Sequence, residues 1–328
     1  MDDGMLNATI AELDASRAIV YRHMSATPTY AWPLLAKRTG CDVRVKHENH
    51  TPVGAFKVRG GLVYLSGLKA TQPELKGVIS ATRGNHGQSL AFAAARVGMN
   101  AVIVVPEGNC PGKNASIKAL GAELIIHGKD FQEALEFTQG LAVERGLFMI
   151  GPFEMPLMRG VGTYALELFE QVSNLDAVYV PVGMGSGICG LIKTRDALGL
   201  KTEIIGVVAE NAPAYALSFA KGEVVTTATA NTLADGVACR VPSPEAFEII
   251  KDGAARILTV SEDEIMDAMG HYFTDTHNLA EGAAATPLAG LMKEKDLQAG
   301  KRIGLILSGG NVDQATFTKV MNRLGDAA

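Results

Sequence analysis

Four segments of the chain place reactive or ligand-binding side chains beside glycines, each after a run of β-branched residues. They are residues 46–61 around Lys57, residues 80–88, residues 180–190 and residues 305–311. The first offers an amine, the second an amide and an imidazole, the third a series of backbone N–H groups, and the fourth a hydroxyl. These groups predict a site where an amine reacts on a ligand that carries anionic groups.

Lys57 lies where a polar turn with Pro52 and Gly54 gives way to the start of a predicted helix. The positive end of a helix dipole disfavours an ammonium ion, so this position predicts a lowered lysine pKa. An amine with a lowered pKa can act as a nucleophile or as a general base. A lone lysine is more often a solvated surface residue, so the hypothesis depends on the other segments.

Residues 80–88 also run from a predicted strand into a helix, and Gly84 and Gly87 allow a ligand to approach the backbone closely. The free N–H groups of a helix start can hold a carboxylate. The alternative is an ordinary strand-to-helix turn that Asn85 caps. The segment is therefore a candidate carboxylate site.

Residues 180–190 read VPVGMGSGICG, and their successive glycines expose N–H groups at a helix start. Such a loop favours a phosphate dianion. Gly185, Gly187 and Gly190 also match the dinucleotide fingerprint, and Glu210, at the end of the next predicted strand, lies where a ribose-binding acid is expected. An NAD-binding oxidoreductase is thus an alternative that this loop, taken alone, leaves open.

The elements that must position these segments alternate along the chain. Predicted strands begin at Val43, Gly77, Ala101, Glu123, Ala177, Glu203 and Arg302. Between them lie helical stretches with apolar residues at spacings of three and four. This alternation predicts an α/β fold with mainly parallel sheets covered by helices on both faces. In such sheets ligands bind outside the carboxyl ends of the strands, which is where the candidate segments lie.

The composition excludes several classes of function. The 328 residues are 47% hydrophobic and 20% charged, with a net charge of −5. No basic stripe with interleaved aromatic residues favours nucleic-acid binding, and no apolar run reaches the length of a membrane span. Residues 1–18 are acidic and helix-patterned, unlike a signal or transit peptide, so we expect a cytoplasmic protein. Cys41, Cys110, Cys189 and Cys239 lack metal-ligand spacing and are expected to be buried free thiols.

Taken together, the motifs resemble the fold-type II pyridoxal 5′-phosphate (PLP) enzymes of the serine/threonine dehydratase (threonine ammonia-lyase) and serine racemase branch. Residues 54–60 resemble the family's Gly-Ser-Phe-Lys-x-Arg-Gly signature, with Ala55 in place of the serine. Residues 82–87 resemble its Ser-x-Gly-Asn-His-Gly loop, and residues 183–187 its tetraglycine loop, with Met184 and Ser186 replacing two glycines. The hydroxyectoine-utilisation dehydratases are one subgroup that the chain resembles.

The resemblance implies a role for each segment. In that family the lysine forms a Schiff base with the cofactor, which implies that Lys57 is the catalytic residue. The preceding Phe56 would pack on the pyridine ring, Asn85 would contact the 3′ oxygen, and Ser308 would bond the ring nitrogen. The implied cofactor-binding residues are Phe56, Lys57, Asn85, Gly183, Met184, Gly185, Ser186, Gly187, Gly236, Glu281 and Ser308. The residues implied to bind the substrate carboxylate are Arg83, Gly84, His86 and Gly87.

The resemblance also implies a two-lobed, tryptophan synthase β-like architecture with the cofactor between the lobes. The large cofactor-binding domain would comprise residues 1–66 and 155–328, and the small substrate-loop domain residues 67–154. We further expect a homodimer or a higher homo-oligomer, with a small amino acid as the substrate.

The implied function is a dehydratase that converts L-threonine, L-serine or a related β-hydroxy amino acid to the 2-oxo acid and ammonia, in amino-acid catabolism. Alternatives are a preference for 3-hydroxyaspartate, phenylserine or a hydroxyectoine-derived amino acid. Arg83 and Arg159 would favour a second anionic group on the substrate if both border the cleft, and surface salt bridges are the other explanation. Arg83 also replaces the acid/base serine of the racemases, so we expect elimination with little racemisation.

Some members of the family bind Mg²⁺ or Ca²⁺ through a Glu, a backbone carbonyl and an Asp. Glu210 and Ala214 match the first two ligands, but Ala216 stands in the place of the Asp. Hard cations prefer several oxygen ligands, more than one of them a carboxylate. We therefore expect a weak divalent-cation site or none.

Overall fold

The strands lie in two separate sheets. The computed structural model describes residues 8–326. Its strands are β1 (Thr29–Ala31), β2 (Asp42–His47), β3 (Gly77–Ala81), β4 (Asn100–Val105), β5 (Glu123–Ile126), β6 (Phe148–Met149), β7 (Ala177–Pro181), β8 (Glu203–Ala209), β9 (Arg256–Val260) and β10 (Arg302–Leu307). Six strands form one sheet in the order β1-β2-β10-β7-β8-β9, and four form the other in the order β5-β4-β3-β6.

Helices cover both sheets. They are α1 (Ile10–Val20), α2 (Pro33–Thr39), α3 (Lys57–Thr71), α4 (Asn85–Val97), α5 (Pro111–Ala119), α6 (Phe131–Arg145), α7 (Met155–Gln171), α8 (Ser186–Ala197), α9 (Ala214–Lys221), α10 (Pro244–Gly253), α11 (Glu262–Thr276), α12 (Gly282–Lys293), α13 (Lys295–Gln298) and α14 (Gln314–Asp326). Short 3-10 turns occupy Glu48–His50 and Asp235–Val237.

The predicted mainly parallel α/β class is confirmed. All neighbouring strands are parallel except β1, which runs antiparallel to β2. The seven predicted strands are all present, at or within one or two residues of their predicted positions. Strands β1, β6 and β9 were not predicted. The first two have only three and two residues and give no apolar run, whereas β9, whose sequence RILTV does form one, was overlooked.

The large sheet is buried on both faces, which explains its near-continuous apolar strands. Successive residues of a strand point to opposite faces, so Tyr179 and Val207 enter one core while Val178 and Val208 enter the other. The small sheet is likewise packed on both sides. Two rigid layers thus present the carboxyl ends of their strands to the rest of the molecule.

We call the six-stranded sheet with its helices the large lobe, and the four-stranded sheet with its helices the small lobe. The strands of the small lobe fall within residues 77–149. Helix α3 runs through the predicted boundary between residues 66 and 67 and packs on α4 of the small lobe and on α7. The helix that begins at Lys57 therefore contacts both lobes.

The N-terminal segment is helical where the structure describes it. Residues 1–7 of the predicted acidic helix lie outside the described residues, and α1 begins at Ile10 behind a capping box of Thr9 and Glu12. Among residues 8–326 no helix combines the length and apolar character needed to cross a bilayer. The four cysteines are free thiols, as predicted, although Cys110 is only partly buried.

Candidate active site

Three of the four candidate segments meet at one edge of the large sheet. Strands β2, β10 and β7 are adjacent and parallel, so the segments that follow them emerge side by side. The backbone N–H of Phe56 donates to the carbonyl of Ser308 at 3.0 Å. The Lys57 Nζ donates to Ser186 Oγ at 2.8 Å. The amine, the hydroxyl after β10 and the glycine-rich loop are thus neighbours.

The fourth segment reaches the same place from the small lobe. Asn85 Nδ2 donates to Glu281 Oε1 at 2.6 Å, and Asn85 Oδ1 accepts from Asn311 Nδ2 at 2.9 Å. The backbone N–H of Glu281 donates to the carbonyl of Gly309, which follows Ser308. Asn85, Glu281 and Ser308 therefore border one cleft between the lobes.

Lys57 is the first residue of α3 and lies partly buried beside an aromatic ring. Its Nζ lies 5.1 Å from the centroid of the Phe56 ring. Burial lowers the pKa of the Lys57 amine to about 8. The predicted lowering of the Lys57 pKa is confirmed. Its cause is burial, whereas the sequence suggested the helix dipole. A larger fraction of this amine is unprotonated near neutral pH than of an ordinary lysine.

The glycine-rich loop has a shape that side chains would block. Helix α8 begins at Ser186 after Gly185, whose φ is 103°, and no side chain of residues 8–326 caps its first N–H groups. A Cβ at Gly183 would lie 2.2 Å from the carbonyl oxygen of Gly236. A helix start with free N–H groups, whose first residue Ser186 bonds the Lys57 amine through its hydroxyl at 2.8 Å, fits a phosphorylated cofactor that bonds to an amine.

Two aromatic rings pack beside this loop. The Phe56 ring would lie 3.6 Å from a Cβ at Gly187, and it meets the Tyr164 ring edge-on at 6.1 Å. The Tyr164 hydroxyl donates to the Gly187 carbonyl at 2.8 Å. The Met184 carbonyl accepts from a tyrosine hydroxyl at 3.2 Å. The loop is therefore held from both sides, although two of the family's glycines are replaced.

The candidate carboxylate loop divides into a buried and an exposed part. Gly84 precedes α4 with a φ of 153°, and within the described part of the chain no side chain caps that helix either. Gly87 is packed against the sheet, since a Cβ there would lie 2.7 Å from Thr82 Cγ2. His86 is buried beside them. Arg83 is exposed, and within residues 8–326 it forms no ion pair.

A buried lysine that the sequence interpretation missed completes the cleft. Lys113 Nζ lies 2.6 Å from Asp235 Oδ2 and 3.2 Å from Glu281 Oε2. Burial opposes its charge, but the carboxylates of Glu281 and Asp235 raise the pKa of Lys113. Burial, together with the Asp235 charge, raises the pKa of Glu281. The sequence does carry one signal for Lys113, namely its position after the polar turn that follows β4, at the carboxyl end of a strand. We call Lys113, Asp235 and Glu281 the inter-lobe cluster.

A second charged group lies fully buried within the large lobe. Arg59 Nε is 2.7 Å from Glu48 Oε2, and Arg59 Nη1 is 2.7 Å from Glu167 Oε1. Lys46 Nζ lies 2.6 Å from Glu167 Oε2. We call these four residues the buried quartet. Beside it α3 and α7 cross in backbone contact, since a Cβ at Gly160 would lie 2.4 Å from the Arg59 carbonyl. The helix that carries Lys57 is thereby fixed to α7.

The remaining predicted residues lie outside this cleft arrangement. Glu210 is exposed, and Lys293 Nζ lies 3.7 Å from its Oε1. Ala214 is buried at the start of α9. In the part of the chain that the structure describes, no three His, Cys, Asp or Glu side chains are grouped so as to hold a metal ion. Arg159 pairs with Glu12 of α1 at 3.4 Å, which favours the salt-bridge explanation for this arginine.

Comparisons with known proteins agree with this geometry. A family model described as pyridoxal-phosphate dependent enzyme matches residues 20–309. An L-threonine ammonia-lyase of Geobacter sulfurreducens is 35% identical over 292 residues, which cover 88% of this chain and 72% of that protein. An L-threo-3-hydroxyaspartate ammonia-lyase of Saccharomyces cerevisiae is 34% identical over 312 residues, 94% and 95% of the two chains. The processed threonine deaminase isoform 2 of Solanum lycopersicum aligns with a TM-score of 0.88 at 29% identity, covering 98% of this chain and 95% of that one. These matches favour a phosphate-binding glycine loop over a dinucleotide fingerprint.

Proposed function

The chain belongs to the pyridoxal-phosphate dependent enzyme family, and from this premise we propose that it dehydrates L-threonine, L-serine or a related β-hydroxy amino acid to the 2-oxo acid and ammonia. It is a fold-type II enzyme with PLP as its cofactor. The observation that carries the proposal is the Lys57 amine, with a pKa of about 8, whose Nζ lies 2.8 Å from the Oγ of Ser186, the first residue of α8.

In this proposal each of the cleft residues binds a different part of the cofactor. Lys57 would hold the aldehyde carbon, and the N–H groups of residues 183–187 would hold the phosphate. Phe56 would pack against the ring, Asn85 would bind its 3′ oxygen, and Ser308 would bond its nitrogen. When bound, PLP supplies an electron-withdrawing ring that acidifies the C–H bond next to the substrate amine.

The protein's own groups then position the substrate and move its proton. The N–H groups at the start of α4, next to Gly84, hold the substrate carboxylate and fix the orientation of Cα. Lys57 takes the Cα proton as general base. The Cβ–O bond breaks, so that the substrate loses the elements of water, and hydrolysis of the resulting enamine releases ammonia and the 2-oxo acid. The buried quartet holds α3 in place throughout, which keeps the Lys57 amine at a constant distance from the loops.

A neutral hydroxyl at the ring nitrogen favours elimination. Ser308 does not hold a positive charge on that nitrogen as a carboxylate would, so the ring withdraws electrons less strongly. Fast loss of a β leaving group suits such a site better than a long-lived carbanion. Arg83 in place of a second acid/base residue on the other face supports elimination with little racemisation.

Arg83 supports a second candidate substrate, 3-hydroxyaspartate. Its guanidinium is exposed beside the carboxylate loop and has no ion-pair partner among residues 8–326. A free guanidinium binds a carboxylate in a bidentate manner. A 2-oxo acid assay with threonine, serine, 3-hydroxyaspartate and phenylserine separates the two candidates. A kcat/KM highest for 3-hydroxyaspartate supports the second candidate, and a kcat/KM highest for threonine or serine supports the first.

The proposal includes assembly as a homo-oligomer in the cytoplasm. Tyr30 of the edge strand β1 and Leu34 of the following helix α2 expose 49% and 55% of their surface. Exposed apolar side chains beside a sheet edge are typical of a surface that a second copy covers. The four unpaired cysteines suit a reducing compartment.

The decisive variant is Lys57→Ala. It is expected to abolish turnover of every substrate, and borohydride treatment of the yellow wild-type enzyme is expected to leave a pyridoxyl group on Lys57. Lys69→Ala, at the other end of the same helix, is the matched control and should retain both activity and labelling. Full activity in the Lys57 variant, or a label on another lysine, would refute the assignment.

A further inference from the structure

His86 carries a buried nitrogen that finds no hydrogen-bond partner in the part of the chain that the structure describes. Its side chain is 8% exposed in the first turn of α4, and it makes a hydrogen bond to the backbone of Gly151. The other ring nitrogen, Nε2, has no hydrogen-bond partner among residues 8–326. A buried polar atom that lacks a partner costs about 1–3 kcal/mol, and in folded proteins such atoms need a specific explanation.

The ring lies beside the reactive amine and is uncharged. Burial and the nearby charge of Lys57 lower the pKa of His86 to about 3. The hydrogen bond to Gly151 raises that pKa, as expected when the ring donates its N–H to the carbonyl. Nε2 then carries a lone pair and no proton. At neutral pH it accepts a hydrogen bond and donates none.

Only one group of the proposed substrate can satisfy such an acceptor. The carboxylate has no donor, and the amine would be taken up by its bond to the cofactor. The β-hydroxyl remains, and it has one O–H. We propose that His86 Nε2 accepts a hydrogen bond from the substrate β-hydroxyl and thereby selects hydroxy amino acids, an inference that rests on the proposed function.

This role differs from those of the groups around it. The backbone N–H of His86 remains free for the substrate carboxylate, since the side chain acts separately. Because the imidazole is neutral, it positions the leaving group and does not protonate it. A second carboxylate on the substrate would be repelled by the lone pair of His86 Nε2. That carboxylate must therefore lie on the side of Arg83.

The test compares two leaving groups in the holoenzyme. L-serine loses a hydroxyl that donates a hydrogen bond, whereas 3-chloro-L-alanine loses a chloride that donates none. In His86→Leu the kcat/KM for serine is expected to fall on the order of tenfold or more, while that for chloroalanine changes by less than about threefold. His86→Gln, whose amide oxygen can accept the bond, should recover part of the serine activity.

A binding measurement gives a readout independent of turnover. In Lys57→Ala protein loaded with PLP, L-serine is expected to raise the melting temperature more than L-alanine does. Adding His86→Leu should remove this difference. Tyr272→Phe is the matched control, since the Tyr272 hydroxyl is also buried and has no partner among the described residues, but it lies in the core of the large lobe. It should leave the serine-to-chloroalanine ratio unchanged.

The outcomes separate the two levels of the proposal. Equal losses for serine and chloroalanine in both His86 variants, with no change in the serine–alanine difference, would show a structural histidine and overturn the inference. A wild-type enzyme that processes chloroalanine but no hydroxy amino acid would overturn the proposed dehydratase function and the inference together. A selective loss of serine activity, partly recovered by His86→Gln, supports both.

Discussion

The buried quartet and the inter-lobe cluster are two arrangements of charged side chains around the site of Lys57. The quartet contains two cations and two carboxylates, all fully buried in the large lobe. The inter-lobe cluster sets one cation against two carboxylates, and Asp235 remains 30% exposed. The first group is balanced within one lobe, and the second is unbalanced and joins two lobes.

This difference teaches which part of the cleft is fixed and which part responds to a ligand. Breaking a balanced buried pair leaves a charge without water or a partner, so the quartet resists change. The inter-lobe cluster carries an excess negative charge, and burial already raises the pKa of Glu281. A contact between lobes that is not fully balanced can rearrange when a ligand enters.

Glu167→Gln should give the largest effect. The substitution keeps the shape of the side chain but leaves Arg59 and Lys46 with too little negative charge, so the free energy of unfolding should fall by about 3–5 kcal/mol. Urea denaturation measures it. Glu170→Gln, on the same helix and in an exposed pair with Arg17, is the control and should cost less than about 1 kcal/mol. Equal losses in the two variants would remove the distinction drawn for the quartet.

Lys113→Met should act on activity more than on stability. Without the ammonium, Asp235 and Glu281 repel each other beside Asn85, so kcat/KM for threonine should fall about tenfold. The free energy of unfolding should change less than in Glu167→Gln, because Asp235 reaches water and Glu281 can take up a proton. Lys118→Met, exposed on the same helix, is the control. A variant that is strongly destabilised but fully active would contradict the comparison.

Glu281→Gln should give the smallest effect, with the opposite sign. Because the pKa of Glu281 is raised in the folded protein, its contribution to stability is present at acid pH and is lost as pH rises through that pKa. Glutamine resembles the protonated form, so the variant should be slightly more stable near neutral pH, by about 1 kcal/mol or less. The gain should vanish at acid pH.

The same pH series discriminates between the two groups. The Arg59 guanidinium helps to hold the pKa of Glu167 below its usual value against the effect of burial, so Glu167 stabilises the fold above its ordinary pKa and loses this effect as pH falls through the lowered one. At neutral pH the urea midpoint of Glu167→Gln should therefore lie below that of wild type, and the midpoint of Glu281→Gln should lie above it. Both midpoints should approach the wild-type value as pH falls. A loss of stability at neutral pH in both variants would disprove the assignment of opposite signs.

The strands and the four candidate segments could be predicted because each depends on local pattern. A buried parallel strand needs a short apolar run, and a ligand-binding turn needs glycines directly after it. Strand β6 has only two residues and depends on its pairing with β3, so it leaves no such pattern.

The contacts within the cleft could not be predicted in this way. Lys113 and Asp235 lie 122 residues apart, and no periodicity relates them. Arg159 follows two apolar residues in a glycine-rich helix, yet only the position of α1 reveals Glu12 as its partner. Orphaned atoms such as His86 Nε2 depend on the complete packing around them and have no sequence signal at all.

The position of β10 affects how the protein is made. This strand pairs with β2 on one side and β7 on the other, and Arg302 bonds Asp42 from 260 residues away along the chain. On a ribosome the small lobe, whose strands are contiguous, can therefore assemble while the large sheet still lacks its middle. Until β10 arrives, the unpaired edges of β2 and β7 are open to wrong partners, so chaperone dependence should concentrate in that interval.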